Sequence, residues 1–508
     1  MDKNYSQGYS PFINWNGRER HEEVFGNHFV RIILTLFLSL FLGKCFLIDA
    51  YLPFLLFAFF VYLWLLFKYP EIALFISFLV IINCFSMISE DFLRLPNILR
   101  IRDLFFISIF IPLLCGIYRK DKKIKYIFSN PIAIGIYVIL FLALIQIFIT
   151  YLRFSSESFN SIIRTGRNYF YYAMFFPALY ILVDNVRLKR FVKLFIGSAV
   201  IFCFLYIIQF FIGSNHKIFL WATVTEQDLR GFGVTRLYID GYIVAALIFA
   251  ISFMLYLFHN TFKYRRENIF IMFITGMQIL VTFGRAHIFG IVMGILFGIF
   301  CAKGQQKMKS VLRIFIFLIV IIVTGSIVSL FLQKESIIQA IFERVSSTYE
   351  AVIGKQDTFS FRLEDFKGKI ELIKRNPIFG IGFVHDESPL FAFARGYRGD
   401  LRTVDSGTIT LLIDFGIIGM VWLFMMAIIV LKRSLGVYKK VNDQFYKLLI
   451  LGIVAFYFSR LFSFITLADF VTFDGVVIII ISLVIIEVIY YQNLWKKSEQ
   501  KRIIYNNC

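Results

Sequence analysis

FVRIILTLFLSLFLGKCFLI, residues Phe29–Ile48, sets the class of this chain. A helix needs roughly 17–25 mostly apolar residues to cross a bilayer, and this run is long enough. Similar runs recur along all 508 residues, of which 59% are hydrophobic, 19% aromatic and only 17% charged. A soluble domain carries roughly 45–50% apolar residues and about 25% charged ones. The expected fold class is therefore all-α: a polytopic transmembrane helical bundle of about 12–14 spans. A transmembrane β-barrel is excluded, because its strands would alternate apolar with polar residues. Fourteen span centres fall near residues 38, 59, 79, 111, 142, 176, 202, 248, 275, 294, 321, 420, 456 and 482.

Charge between the runs sets the topology. The formal net charge is +20. Topology accounts for most of it, so no nucleic-acid partner is expected. Alternate connections are basic and rich in lysine: Lys68, then Arg119 to Lys125, then Arg187, Lys189 and Arg190. Lys263, Arg265 and Arg266 follow, then Lys303 to Lys309, Lys432 to Lys440, and Lys496 to Arg502. Positive charge collects on the cytoplasmic side, so both termini are expected there, with no cleavable signal ahead of the first span. The expected organisation is a cytoplasmic segment 1–28, a bundle 29–332 of about 11 spans, and an extracytoplasmic lid loop 333–408. A bundle 409–492 of about 3 spans and a cytoplasmic tail 493–508 complete it. Five of the six cysteines lie in or beside apolar runs, and no disulfide or zinc spacing is present.

The opposite loops carry arginine instead: Arg94, Arg100 and Arg102; Arg153, Arg164 and Arg167; Arg230 and Arg236; Arg285; and Arg344, Arg362, Arg375, Arg395, Arg398 and Arg402. Positive charge there opposes the topological preference and needs another reason. The planar guanidinium fork binds phosphate or carboxylate at two points, which lysine does not do. An anionic substrate held at the outer face is one such reason.

Several residues stand out within this pattern. Arg285 sits against apolar sequence on both sides; an anion site and snorkelling to the interface are the two readings. His287 is a possible second donor to the same anion. Arg230 and Arg236 lie beside Gly231 and Gly233, with Asp240 as a possible ion-pair partner. The lid is expected to hold an amphipathic helix through residues 337–345. A second, bearing Arg362, is expected to start at Ser360 as N-cap and stop at Asn376-Pro377. A turn through Pro377, Gly380 and Gly382 follows. Asp405 and Ser406 precede the next span, as either a general base or a helix cap. His385 and Asp386 form an adjacent pair. Arg460, inside an apolar span, calls for a partner such as Asp469 or Asp414. No metal-ligand cluster, P-loop or nucleophile elbow is present, so no metal or cofactor is expected and the substrate must arrive activated.

RLEDFKGKIELIKRNPIFGIGF, beginning at Arg362, followed by VDSGTITLLIDFGIIGMVWLF, resembles the O-antigen ligase and polymerase family of Wzy-like integral membrane glycosyltransferases. The Arg-led helix, the Pro377-x-x-Gly380-x-Gly382 turn, Asp405-Ser406 and Gly416-x-x-Gly419 carry the likeness. Gly284-Arg285 is similar to the family's Ser-Arg turn, and the spacing from Arg230 to Gly241 adds to it. The resemblance implies a GT-C-like bundle and an undecaprenyl-diphosphate-linked oligosaccharide donor. It implies metal-independent inverting transfer, with Arg230, Arg236, Arg285, Arg362 and His287 on the diphosphate. Asp405 stands where ligases of this family carry histidine. This favours a repeat-unit polymerase of O-antigen, capsule or exopolysaccharide, with Arg285, Arg362 and Asp405 as its catalytic residues. A ligase and a lipid-linked glycan flippase are the alternatives. Membrane lipid and a chain-length regulator or flippase are the implied partners, and the bacterial cytoplasmic membrane is the implied location.

Overall fold

A computed structural model describes residues 51–86, 100–154, 157–213, 216–219, 223–229, 232–239, 241–259, 262–282, 284–302, 313, 357–386, 388–394, 401–402 and 406–495. Its helices are α1 (Tyr51–Lys68), α2 (Pro70–Ile82), α3 (Ile101–Ser108), α4 (Phe110–Tyr118), α5 (Lys123–Ser129), α6 (Pro131–Arg153), α7 (Phe159–Phe170), α8 (Phe175–Leu182) and α9 (Asn185–Ile212). Then come α10 (Ile243–Phe258), α11 (Phe262–Val281), α12 (Arg285–Cys301), α13 (Asp357–Arg375), α14 (Gly407–Lys440), α15 (Gln444–Ser463) and α16 (Phe473–Tyr490). Among the described residues six helices are long and apolar enough to span a membrane, and four shorter apolar helices accompany them. Each expected span centre on a described residue falls in a helix; those near 38 and 321 lie outside the described residues.

Among the described residues one strand pair interrupts the helices. Residues 223–238 were read as loop, yet β1 (Thr223–Leu229) and β2 (Phe232–Tyr238) form an antiparallel hairpin with Leu229 opposite Phe232. Two sequence positions, 230 and 231, separate the paired strands.

Burial sorts the helices into layers. The apolar window of Phe473–Asn493 is 89% buried, so α16 is the centre of the bundle rather than a lipid-facing helix. Every residue of α10 is also buried. By contrast Phe60, Phe67, Phe141, Phe148 and Leu152 of α1 and α6 are exposed, as side chains facing lipid would be. Gly290, Gly294 and Gly298 form a small-residue stripe on α12. A Cβ on any of them would meet α15 or Met254 at 1.9–2.6 Å, so the two backbones touch closely.

The basic connections gather at one end. Arg433 holds the buried Glu487 through Nε at 2.6 Å and Nη2 at 2.8 Å. Tyr126 donates to the same carboxylate. Arg190 reaches Glu71 at 2.9 Å, and Tyr446 donates to Asn185 at 2.8 Å. These contacts tie residues from four lysine-rich connections together, and the lid lies at the far end of α14.

At the lid end α14 is broken. Gly416 adopts φ 63°, ψ −152° inside it, leaving helical geometry for one residue. The lid turn after α13 fills the break with its own backbone. Ile381 N–H donates to Ile413 O at 2.8 Å, and Ile417 N–H donates to Pro377 O at 2.8 Å. Gly380 (φ 69°) and Gly382 (φ 88°) occupy the left-handed region that glycine tolerates. A Cβ on Gly380 would lie 2.4 Å from Ile413 O, and one on Gly416 would lie 2.4 Å from Ile378 O. The glycines of the turn and of the span are thus two halves of one splice. From α6, Gln146 donates to Phe379 O at 2.9 Å and Thr150 accepts from Phe383 N–H at 3.0 Å.

Helix α13 begins at Asp357, not at Ser360. Lys374 and Arg375 lie in its last turn, where the helix dipole favours positive charge. It stops at Asn376-Pro377 as expected. The amphipathic helix expected through 337–345 lies outside the described residues.

Substituting Gly380 by alanine is expected to cost at least the roughly 1–3 kcal/mol of a strained backbone, and more because of the clash. Gly436→Ala is the control: nothing lies within 4 Å of its Cβ position. In a helix interior that exchange should stabilise by about 0.5–1 kcal/mol. Thermal unfolding of the two purified variants in detergent checks both.

Candidate active site at the lid end

Arg402 closes the lid onto the bundle. Its Nε donates to Asp414 Oδ1 at 2.6 Å, Nη1 to Val384 O at 2.6 Å and Asp386 Oδ1 at 3.0 Å, and Nη2 to Gly382 O at 2.8 Å. Its backbone N–H also reaches Asp386 at 3.2 Å. The second oxygen of Asp414 accepts from Tyr169 of α7 at 2.6 Å. Asp414 is only 2% exposed. A buried carboxylate survives in apolar surroundings when its lone pairs are satisfied by charge and hydrogen bonds, and here both oxygens are. Tyr169 stacks on Phe383 and meets Phe415 edge-on, so one aromatic cluster backs the splice.

Several arginines read as anion-binding have protein partners. Arg153 donates to Asn376, tying α6 to the lid turn. Arg167 lies 3.8 Å from Asp103, which also accepts from Tyr171 at 2.7 Å. The guanidinium of Arg102 is buried over the Phe473 ring, 4.1 Å from its centroid. Arg375 pairs with Glu371 at 2.7 Å. Asp386, read as half of a His–Asp pair with His385, is engaged by Arg402 instead. For these residues the arginine-rich loops serve the architecture itself.

A second buried group lies where α12 meets α15. Arg460, fully buried, reaches Asp469 at 3.1 Å and His287 Nδ1 at 2.9 Å, and bonds Ser459 through Nε and Nη2. Arg460 therefore takes the first of its two expected partners, Asp469, while Asp414 belongs to Arg402. Burial pushes the Asp469 carboxyl up to about 6 against the opposing pull of Arg460. Because burial raises this carboxyl, its ionisation costs the fold stability as pH rises from about 4 towards 6.

The turn between α15 and α16 joins the elements that carry the expected site. Ser463 donates to Ala286 O at 3.2 Å in the first turn of α12. Phe464 O accepts from Thr408 N–H at 3.1 Å in the first turn of α14. Phe470 O and Val471 O accept from Tyr172 and Asn168. Tyr242, just beyond the hairpin, packs its ring 5.2 Å from that of His287. The N-termini of α12 and α14 thus share one anchor, and the hairpin exits beside it. Each N-terminus is a positive dipole end, and that of α14 already has its Thr408 and Ile409 N–H groups paired, with Phe464 O and the Ser406 hydroxyl.

Arg285 opens α12 and Arg362 lies in the first half of α13, while Arg236 sits on β2. The side chains of these three lie outside the described residues, as do Arg230, Asp240 and Asp405 altogether. Ser406 is described and caps α14, its hydroxyl accepting from Ile409 N–H at 3.3 Å. His287 is buried with its Nδ1 on Arg460, and Pro377, Gly380 and Gly382 form the splice. Among the described residues no cluster of metal-ligand type is present. Arg402 with Asp414, and the break at Gly416, escaped the reading of the sequence. The signal for the first was a lone aspartate in an apolar run. That for the second was Gly-x-x-Gly in a span opposite a Gly-x-Gly turn.

Residues 269–424 match the family model described as O-antigen ligase. The match supports an O-antigen ligase/polymerase-like family and a glycosyltransferase-like, glycan-handling activity in a membrane protein. It covers Arg285, Arg362, the lid turn, Asp405 and both glycines of the broken span, and begins after Arg230 and Arg236. No curated protein matches the chain.

Arg402→Leu strands Asp414 without a countercharge. Breaking one side of a buried pair costs about 3–5 kcal/mol, so a large fall in melting temperature and early proteolysis of the lid are expected. Arg402→Leu combined with Asp414→Leu should recover part of the loss. A thermal-unfolding double-mutant cycle checks the pair.

Proposed function

We propose that this protein is a polymerase. It joins undecaprenyl-diphosphate-linked oligosaccharide repeat units of a surface polysaccharide at the outer face of the cytoplasmic membrane. The observation that carries the reading is the shared anchor of two helix N-termini. α12, which starts with Arg285, and α14, which follows Asp405-Ser406, both bond to the Ser463–Phe464 turn. The splice fixes the end of α13, and so the helix bearing Arg362, against α14. This supports a site at that end of the bundle, to which Arg285, Arg362 and Asp405 contribute.

The chemistry follows from the substrate. An acceptor hydroxyl attacks the anomeric carbon of the donor from the face opposite the diphosphate. The new carbon–oxygen bond forms as the bond to the phosphate oxygen breaks, and the configuration inverts. The hydroxyl proton passes to Asp405. The departing lipid diphosphate gains negative charge, which Arg285 and Arg362 stabilise with the α12 N-terminus. Preorganised donors in a site shielded from water act most strongly where charge develops. Arg230 and Arg236, on and beside the hairpin, guide the same diphosphate. No metal is required in this scheme. Aspartate at position 405, where family ligases carry histidine, favours joining repeat units over transfer to a different acceptor. A chain-length regulator or a flippase is the expected protein partner.

Complementation of a deletion strain tests the reading through the surface-glycan ladder. Arg285→Ala, Arg362→Ala and Asp405→Ala should each abolish long polymer while single repeats still appear outside. Loss of all external glycan would point to a flippase. Long polymer built on the carrier but never transferred would point to a ligase. Normal ladders in all three variants would remove these residues from the site.

A further inference from the structure

We propose that Arg460 is a positioning residue that holds His287 as a neutral hydrogen-bond donor, with its proton on Nε2, directed to a phosphoryl oxygen of the lipid-linked donor. The phosphoryl assignment rests on the function proposed above; the protonation state does not. A guanidinium has five N–H groups and no acceptor. The 2.9 Å contact between Arg460 Nη1 and His287 Nδ1 therefore requires a lone pair on Nδ1. The proton of the neutral ring must then sit on Nε2. A doubly protonated ring would set an N–H against the guanidinium N–H, so the contact also excludes the imidazolium.

Arg460 cannot turn away to relieve this. Asp469 holds Nη1 at 3.1 Å, and Ser459 Oγ accepts from Nε at 3.2 Å and Nη2 at 2.8 Å. Among the described residues the charged group on the ring is Arg460 of α15; Asp469 in the following turn bonds Arg460 and feels Asp474 at the start of α16. Tyr242 packs on the ring from the side of the hairpin.

His287 Nε2 has no hydrogen-bond partner among the described residues, although the side chain is only 2% exposed. A buried donor without an acceptor costs about 1–3 kcal/mol. It lies in the first turn of α12, whose first main-chain N–H groups are themselves unpaired within the helix; the intrahelical ladder opens with Ile288 N–H to Gly284 O at 3.0 Å. Arg285 is two residues away. An oxygen bearing negative charge would supply the acceptor that His287 Nε2 lacks. The same assignment bars His287 from general-base catalysis, since neither ring nitrogen has a lone pair to offer. The proton of the acceptor hydroxyl must go elsewhere, which leaves that task to Asp405.

The test reads the proton directly. The full-length protein, labelled with 15N at its six histidines, is reconstituted and examined by solid-state NMR from pH 5.5 to 8.5. His287 is assigned as the signal lost in His287→Gln. Should that variant not fold, it is assigned by dipolar contact with 15N-arginine. An unprotonated Nδ1 and a protonated Nε2 are expected throughout, with Nε2 moving downfield when undecaprenyl diphosphate is added and unmoved by undecaprenol. Arg460→Met should release the ring to titrate. In activity assays His287→Gln, which keeps a donor, should retain far more turnover than His287→Phe, which should lose about a hundredfold, the usual scale for one such donor. A ring that is protonated on Nδ1, or that titrates in the wild-type protein, overturns the role of Arg460. An expected tautomer with no response to the diphosphate overturns the phosphoryl contact. A ladder lost in Asp405→Ala with that tautomer intact separates the polymerase reading from this one.

Discussion

A helix that breaks inside a membrane must find new partners for the backbone groups it releases. Hydrocarbon offers none, and each unsatisfied group costs several kcal/mol. The architecture of the lid end depends on that constraint. Gly416 interrupts α14, and the turn from Pro377 to Gly382 supplies the missing donors and acceptors. Neither element is complete alone. The lid is consequently not a loop resting on a finished bundle; its backbone is part of the span. Arg402 adds the charge lock, since it bonds the turn at Gly382 and Val384 and the span at Asp414. Through α7 and α6 the same unit is fastened to the first half of the chain.

Arg402 and Arg460 divide the work. Arg402 satisfies carbonyls and carboxylates entirely within the protein, and all its described partners are accounted for by structure. Arg460 uses its charge to fix a histidine whose other nitrogen stays unengaged among the described residues. Both sit in apolar surroundings where an isolated charge would be prohibitively costly. Only the second leaves a polar group pointing beyond the network. That asymmetry separates a fastening from a site more cleanly than residue type does, since both centres pair arginine with aspartate.

The sequence made the helical class and the positions of the spans legible, because length and apolarity alone specify them. It also separated the lysine connections from the arginine connections, and contacts such as Arg433 with Glu487 and Arg190 with Glu71 gather the former at one end. The hairpin was missed although TVTEQDL and FGVTRLY flank a two-residue joint. A short polar strand pair between two spans has no strong apolar alternation to announce it. The sequence left Arg460 with two possible partners, Asp469 or Asp414: two arginines and two aspartates permit either pairing, and only the fold places Asp414 against Arg402. The glycines were recognised as a turn, but their purpose lay in a second glycine 34 residues beyond Gly382. Pairing of backbone with backbone at that distance leaves no mark in side-chain pattern.

The burial of α16 bears on how the protein is made. This helix is the last of those described, yet it is the axis around which α2, α8, α10 and α14 are arranged. During synthesis the surrounding helices enter the bilayer first and enclose nothing. They must stay splayed, with a lateral opening wide enough to admit one more helix, until residues 473–490 emerge. The turn that precedes α16 anchors both α12 and α14, so it is set in place only as this keystone arrives. Completion of this end of the bundle therefore waits on α16, although most of the helices it joins precede it in the chain.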